Sequence, residues 1–391
     1  MRKLSEEQGF TITEMMVATA VVLVVLSGAL TTFKNALAIN ESASQLADAN
    51  QNLRAGTNQL IRDILMAGRI IGTEGIAMPT GPGISYARPG PVGVGNFDMI
   101  ADTDATLQMP AISTGFRLGP KIPSNCTACF ATDMITIMTV DEFMPVVSTP
   151  PVTAGTPSGS EATLAPDGTY ATFAATSQWI DGDTAGDTPA IREGDLVLYV
   201  GTNGNAIQTV TSIDKTLHRI YFATGNSTYD PFHFNQPNAT TPPCATPPCG
   251  SGRPLGALKG LPATSAWPTT APITLFKALM ITYYVDNTTT PGTPRLTRQI
   301  NSFAPQALAG VVEDLDLTYD LYDGTYNPVA VTGFPYTANS IVYTENQIRK
   351  VNLHVGVRSE RISQPTQDYV RNHITTSVNV RSLAAVDKYP T

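Results

Sequence analysis

Few groups in this chain could do chemistry, and most of them have a plainer reading. Ser212-Ile-Asp-Lys215 matches the Ser-x-x-Lys pattern of serine acylases, but that chemistry needs the serine at a helix start and here it ends a predicted strand. Asp181, Asp183 and Asp187, in DGDTAGD, are the calcium candidate. Loop carboxylates suit a hard cation, yet the spacing lacks the order and closing glutamate of an EF-hand, and a solvated acidic turn explains it equally. Asp314, Asp316 and Asp320 share one face of a predicted strand. Paired carboxylates can do acid–base work, although an exposed strand face commonly carries alternate charges. His354 stands alone on a similar face. No catalytic residue and no cofactor are expected.

The cysteines fall in two close pairs, Cys126 with Cys129 and Cys244 with Cys249. A zinc site needs further ligands at sensible spacing, and His218, His233, His354 and His373 form no such pattern. A thioredoxin-like motif sits between a strand and a helix, whereas NCTACFATDMITIMTV runs from a loop into a strand. Structural disulfides within each pair, in an oxidising compartment, fit best. The body of the protein is then expected outside the cytoplasm.

The composition agrees with a globular body rather than a disordered chain. Hydrophobic residues make up 42% of the 391, enough for a core and for two or three domains. Charged residues are only 14%, against roughly 25% in a typical soluble chain. With 31 glycines and 30 prolines, most of the chain should be strand and turn. A net charge of −8 and the absence of a basic cluster argue against nucleic acid as a partner.

One carboxylate is conspicuously placed. Glu14 stands at the edge of an uncharged run from Met15 to Phe33, long enough to cross a hydrocarbon core of ~30 Å. A carboxylate at that depth costs roughly 2–3 kcal/mol or more, so its partner has to be found. A secretory signal could end at Ser27-Gly28-Ala29, but Glu6, Glu7 and Glu14 do not suit its basic flank. A plain anchor accounts for Arg2 and Lys3 on the cytoplasmic side, leaving Glu14 and the Gly9-Phe10 junction unexplained.

The leader MRKLSEEQ, then Gly9, then FTITE and an apolar run together resemble the class III signal of type IV pilins and type II secretion pseudopilins. The resemblance implies that a prepilin peptidase cuts after Gly9 and methylates the new N-terminus, Phe10. Glu14 is then the fifth mature residue, the family's usual place for glutamate. Its partner would be the Phe10 amine of a neighbouring subunit. Removing one member of such a buried pair costs about 3–5 kcal/mol, so the pair can set register even if its net contribution is small. A glutamate reaching up to the headgroups from a helix end is the alternative.

The elements that must position these groups follow from periodicity. After residues 1–9 as leader and 10–33 as the membrane-spanning half of a helix, residues 34–68 continue it as an amphipathic half. Leu46, Leu53 and Leu60 recur every seven residues, joined by Ile61, Ile64 and Leu65, with Asn50, Arg54, Asn58, Arg62 and Asp63 between them. Residues 69–391 read as a strand-rich head. GDLVLYV (194–200), AIQTVTSI (206–213) and HRIYFA (218–223) suggest an antiparallel meander. Leu315, Leu317, Tyr319 and Leu321 alternate with polar residues, as do Val351, Leu353, Val355 and Val357, and Ile374, Thr376, Val378 and Val380. Residues 141–190 and 224–275, rich in Thr, Pro and Gly, read as long loop insertions. The expected class is α+β: one long N-terminal helix packed on an antiparallel sheet, the shape of a pilin.

NLRAGTNQLIRDILMAGR, ITYYVDNTTTPGTPRLTRQI, LAGVVEDLDLTYDLYDG, QIRKVNLHVGVRSER and TTSVNVRSLA look like successive blocks of the PilW family of minor pilins. That resemblance implies a structural subunit near the tip of a type IV pilus. It would start as a single-pass inner-membrane protein with a periplasmic head and end on the cell surface. Its partners would be the major pilin, other minor pilins, the prepilin peptidase, the inner-membrane assembly platform and a tip adhesin. The alternatives are a type II secretion pseudopilin and a membrane-anchored periplasmic binding protein.

Overall fold

The first helix begins at a cap that four residues spell out. In the computed structural model Thr11 is the N-cap of α1 (Ile12–Leu65), and Thr11 and Glu14 bond reciprocally as a capping box. No proline interrupts the following 54 residues, which at 1.5 Å each reach about 80 Å. The helix ends at Met66, and Gly68 then takes a φ of 74° that a side chain would resist. The Gly68 N–H donates to the Met138 carbonyl at 2.9 Å, turning the chain into the sheet. The structure describes residues 10–71, 75–78, 86–91, 93–96, 107–123, 127, 129–141, 161–165, 169–174, 177–181, 191–201, 204–235, 273–290, 292–363 and 367–380.

The strands follow in chain order: β1 (Ile76–Met78), β2 (Ala87–Gly90), β3 (Gly93–Asn96), β4 (Leu107–Met109), β5 (Ile112–Gly115) and β6 (Met134–Val140). Next come β7 (Glu161–Leu164), β8 (Tyr170–Phe173), the short helix α2 (Gln178–Asp181), β9 (Leu196–Gly201), β10 (Gly204–Thr209), β11 (Ser212–Asp214) and β12 (Arg219–Tyr221). The last group is β13 (Ile273–Asp286), β14 (Arg295–Ile300), β15 (Gln306–Leu321), β16 (Tyr336–Ala338), β17 (Ile341–Tyr343), β18 (Ile348–Ser363) and β19 (Asp368–Asn379). Among the described residues thirteen of them form one antiparallel sheet. Its main path runs β7-β13-β14-β15-β18-β19. β13 is the hub, pairing with β6 and β14 in its second half and with β7 and β9 in its first. Flanked on both edges, Met280, Ile281, Tyr283, Tyr284 and Val285 are all buried, as in a strand covered on both faces, and the polar Thr282 among them meets the Thr136 hydroxyl at 3.0 Å.

The alternation in the late strands is as read. Leu315, Leu317, Tyr319 and Leu321 are buried opposite Val355, Leu353, Val351 and Ile348. Asp316 is exposed, and Asp314 and Asp320 are half-buried, on the other face. In β19 only the Val378 end is fully buried, while Ile374 and Thr376 are half-covered.

Three expectations are corrected. The meander at 194–223 is two hairpins, β9 with β10 and β11 with β12, and β12 joins β8 rather than β10. The break comes at Val210 and Thr211, where the backbone changes partner: the Val210 N–H donates to the Asp195 carbonyl at 2.9 Å and the Thr211 N–H to that of Tyr221 at 2.8 Å, while side chains bond the last residue of β10. Asn235 Oδ1 accepts from the Thr209 N–H at 2.9 Å, and Asp230 Oδ1 accepts from the Thr209 hydroxyl at 2.7 Å. Residues 141–190 are not simply a loop insertion either. They supply β7, β8 and α2, and Phe173, Trp179 and Ile180 are buried in a second apolar cluster with Tyr199 and Phe222. In 224–275, Phe232 and Phe234 are buried against the main core. Residues 236–272 lie outside the described set.

Candidate functional site: the long helix and its seat on the sheet

From Ile12 to Leu37 the apolar side chains of α1 are exposed, with Phe10 ahead of them 85% exposed. This is the helix of the described structure that is long and apolar enough to cross a membrane. Its hydroxyls bond inward. Thr19 donates to the Met15 carbonyl at 2.9 Å, Thr31 to Ser27 at 2.8 Å and Thr32 to Gly28 at 3.0 Å, so this half leaves few donors seeking water.

The other half is built for contact. Ala49, Leu53, Leu60 and Ile64 are buried on the sheet, whereas Leu46 and Leu65 are over a third exposed. The seat therefore spans about 49–64 and is shorter than the amphipathic stretch 34–68. Below it the first tie is Ser42 to Ser363, hydroxyl to hydroxyl at 2.7 Å, followed by Asn372 donating to Asn50. Gly56 fixes the closest approach. A Cβ there would lie 2.8 Å from the Ala309 Cβ and 3.3 Å from the Leu296 side chain. Between the tie and the seat the helix stands off, leaving a cleft of about 860 Å³ lined by Glu41, Asp48, Arg358 and Arg361 among others.

Asp63 corrects the sequence reading, which set it on the polar side. It is wholly buried, accepting from the Tyr283 hydroxyl at 2.6 Å and from Arg298 Nε at 2.6 Å. Burial and the adjacent Asp63 carboxylate push the Tyr283 hydroxyl pKa up, so this tyrosine stays a donor. A signal was there: Asp63 lies three residues beyond Leu60, within the same stripe as Leu53 and Ile64. Thr11 was also missed, although Thr-x-x-Glu is the capping signature. The Thr11 N–H reaches Glu14 Oε2 at 3.0 Å and the Thr11 hydroxyl reaches it at 2.9 Å. In this isolated chain, then, Glu14 has a local partner.

Those of the remaining candidates that are described are not gathered into one site. Gly9, Asp183, Asp187, Cys126, Cys244 and Cys249 lie outside the described residues. Asp181 ends α2. Cys129 is disulfide-bonded, to a partner outside that set. Ser212 opens β11 rather than ending a strand, and no helix starts there. Asp320 pairs with Lys350 at 3.1 Å and accepts from the Ala330 N–H. His354 does not stand alone. Its ring is 5.3 Å from that of His373, its Nδ1 is 2.9 Å from the Thr375 hydroxyl and its Nε2 is 3.8 Å from Asp314. Among the described residues no group of three or more His, Cys, Asp or Glu is placed to hold a metal ion.

No family model, curated protein or solved structure matches this chain.

Proposed function

We propose that the chain is a pilin-like structural subunit, a minor pilin of a type IV pilus that helps prime assembly at or near the filament tip. What carries the reading is the division of α1: an apolar half exposed among the described residues, continuous with a half locked to a sheet by Asp63 and Gly56. A helix apolar on all sides needs either lipid or other helices around it. The first half would exchange one for the other, leaving the inner membrane to pack beside the helices of the major pilin and other minor pilins. The rigid seat would make head and helix move as one body. Prepilin peptidase, the assembly platform and a tip adhesin are the further partners, and the role is structural rather than enzymatic.

The test is the processing and destination of the full chain. The mature protein should start at methylated Phe10, Gly9→Arg should block the cut, and purified pili should contain the subunit at a small fraction of the major one. An uncut wild-type chain would overturn the reading. Recovery only with a secretion apparatus would move it to a type II pseudopilin.

A further inference from the structure

Away from the helix, the β5–β6 hairpin continues past its strands and carries an exposed aromatic and cationic surface. Residues 116–121 run beside 129–133: the Gly119 N–H donates to the Thr132 carbonyl at 2.8 Å, the Thr132 N–H to Pro120 at 3.1 Å, and Lys121 bridges to Ala131. Phe116, Leu118 and Phe130 are all exposed, Phe130 by 67%. Arg117 lies over both rings, its guanidinium carbon 3.9 Å from the Phe130 centroid and 4.7 Å from that of Phe116. Among the described residues this guanidinium makes no hydrogen bond and no ion pair, although the buried Asp133 attracts it at longer range.

The turn is held rather than loose. Arg117 has a φ of 56°, a region that costs a non-glycine residue free energy. Asp133 holds it there, accepting from the Arg117 N–H at 2.7 Å and from the Leu317 N–H at 2.8 Å. Rings that hold an exposed guanidinium without using its donors leave its N–H fork free for a carboxylate. Arginine and aromatic anchors are also the residues that dominate protein interfaces.

We propose that Phe116, Arg117, Leu118 and Phe130 form a docking surface for an acidic peptide segment of another protein, with a carboxylate on the Arg117 fork and apolar side chains over the rings. Charge selects the occupant. Lys121 adds a second exposed cation beside the patch, on a chain whose net charge is −8. Two cations on so acidic a protein are too few for an anionic bilayer, which clusters of four to eight recognise. The surface also lies clear of the assembly helix: Asp133 meets β15 at Leu315 and Leu317, whereas Gly56 meets it at Ala309, roughly 20 Å away along the strand. The proposal therefore does not rest on the pilin reading.

The full chain in neutral detergent is titrated with a fluorescein-labelled peptide of alternating Glu and Leu, and with its Gln-for-Glu counterpart. The acidic peptide should bind, the Gln peptide should bind at least tenfold more weakly, and R117Q and F130A should each weaken the acidic peptide about tenfold while V342A leaves it unchanged. A photoreactive form of the acidic peptide should label wild type within residues 116–130, a readout that needs no variant to fold. Equal affinity for both peptides, labelling elsewhere, or Arg117-dependent flotation with phosphatidylserine vesicles without peptide binding would overturn the proposal.

Discussion

The two halves of α1 are one helix written for two surroundings, and their polar residues differ more sharply than their apolar ones. In the first half Thr19, Thr31 and Thr32 turn their hydroxyls back to their own helix. In the second, Asn50 and Asp63 reach across to Asn372, Tyr283 and Arg298, and Ser42, though bonded back to the Ala38 carbonyl, also meets the Ser363 hydroxyl. The two glycines repeat the contrast. Gly28 has open space where a Cβ would be, and Gly56 has Ala309. Self-satisfied polar groups suit a helix whose neighbours change, whereas cross-bonded ones specify a single permanent neighbour.

The strongest way to break this comparison is to cut the cross-bond. Asp63→Ala leaves the half-buried Arg298 and the buried Tyr283 hydroxyl without their acceptor; breaking a fully buried pair by one partner costs about 3–5 kcal/mol, and the partial exposure of Arg298 sets the expected loss at the lower end. The head should melt far lower, or fail to fold, while Leu23→Ala in the exposed half should leave head melting unchanged. Equal effects of the two would show that the halves are not distinct.

Asp133 sharpens the contrast between a buried carboxylate bonded to a cation and one that is not. Asp63 is bonded to Arg298, whereas Asp133 accepts from two backbone N–H donors and feels Arg117 only at longer range, and burial pushes its pKa up to about 6 against those attractions. A carboxyl raised on folding adds stability that is complete below about pH 4 and lost as pH rises through about 6, on the order of 2 kcal/mol. Thermal melts between pH 4 and 7 should show wild type losing stability relative to Asp133→Asn across that window. A constant difference between the two would refute the assignment.

Gly56 tests closeness alone. Valine there meets the Ala309 Cβ and Leu296, and overpacking of this kind costs about 1–3 kcal/mol. Gly28→Val, in open space, should change head stability by nothing measurable. Chemical denaturation of both variants gives the difference directly.

How far the sequence disclosed this arrangement depends on the range of the interactions. Period-two alternation placed Leu315 to Leu321 and Val351 to Val357 on the core face, because each strand's pleat is local. The seven-residue step of Leu53 and Leu60 located the seat in the same way. Asp63 was misread because its partners lie on β13 and β14, 220 and 235 residues further along the chain. The end of β10 at Thr209 is bonded by Asp230 and Asn235, which lie in a stretch whose Thr and Pro content suggested only loop. Trp179 and Phe173 were hidden for the same reason, since composition averages over the few apolar residues that anchor an irregular segment.

The smallest effect bears most directly on function, because Glu14 has two accounts of nearly equal economy. One is the capping box with Thr11, a local matter of about 1 kcal/mol at the helix start. The other, which rests on the proposed function, is an ion pair with the Phe10 amine of a neighbour. Glutamine separates them, since it serves in a capping box as glutamate does but carries no charge. If capping is the whole role, Glu14→Gln should be recruited into filaments as wild type is, while Glu14→Ala and Thr11→Ala are both mildly impaired. Pairing requires a different order: Glu14→Gln and Glu14→Ala both fail at recruitment, Thr11→Ala succeeds, and all three insert in the membrane with heads of normal stability. Recovery of each variant in sheared filaments, against its level in the membrane fraction, distinguishes the two orders. The expected result is the second, because a cap needs only a side-chain acceptor, whereas a charge at the edge of an apolar run needs an opposite charge to remain there.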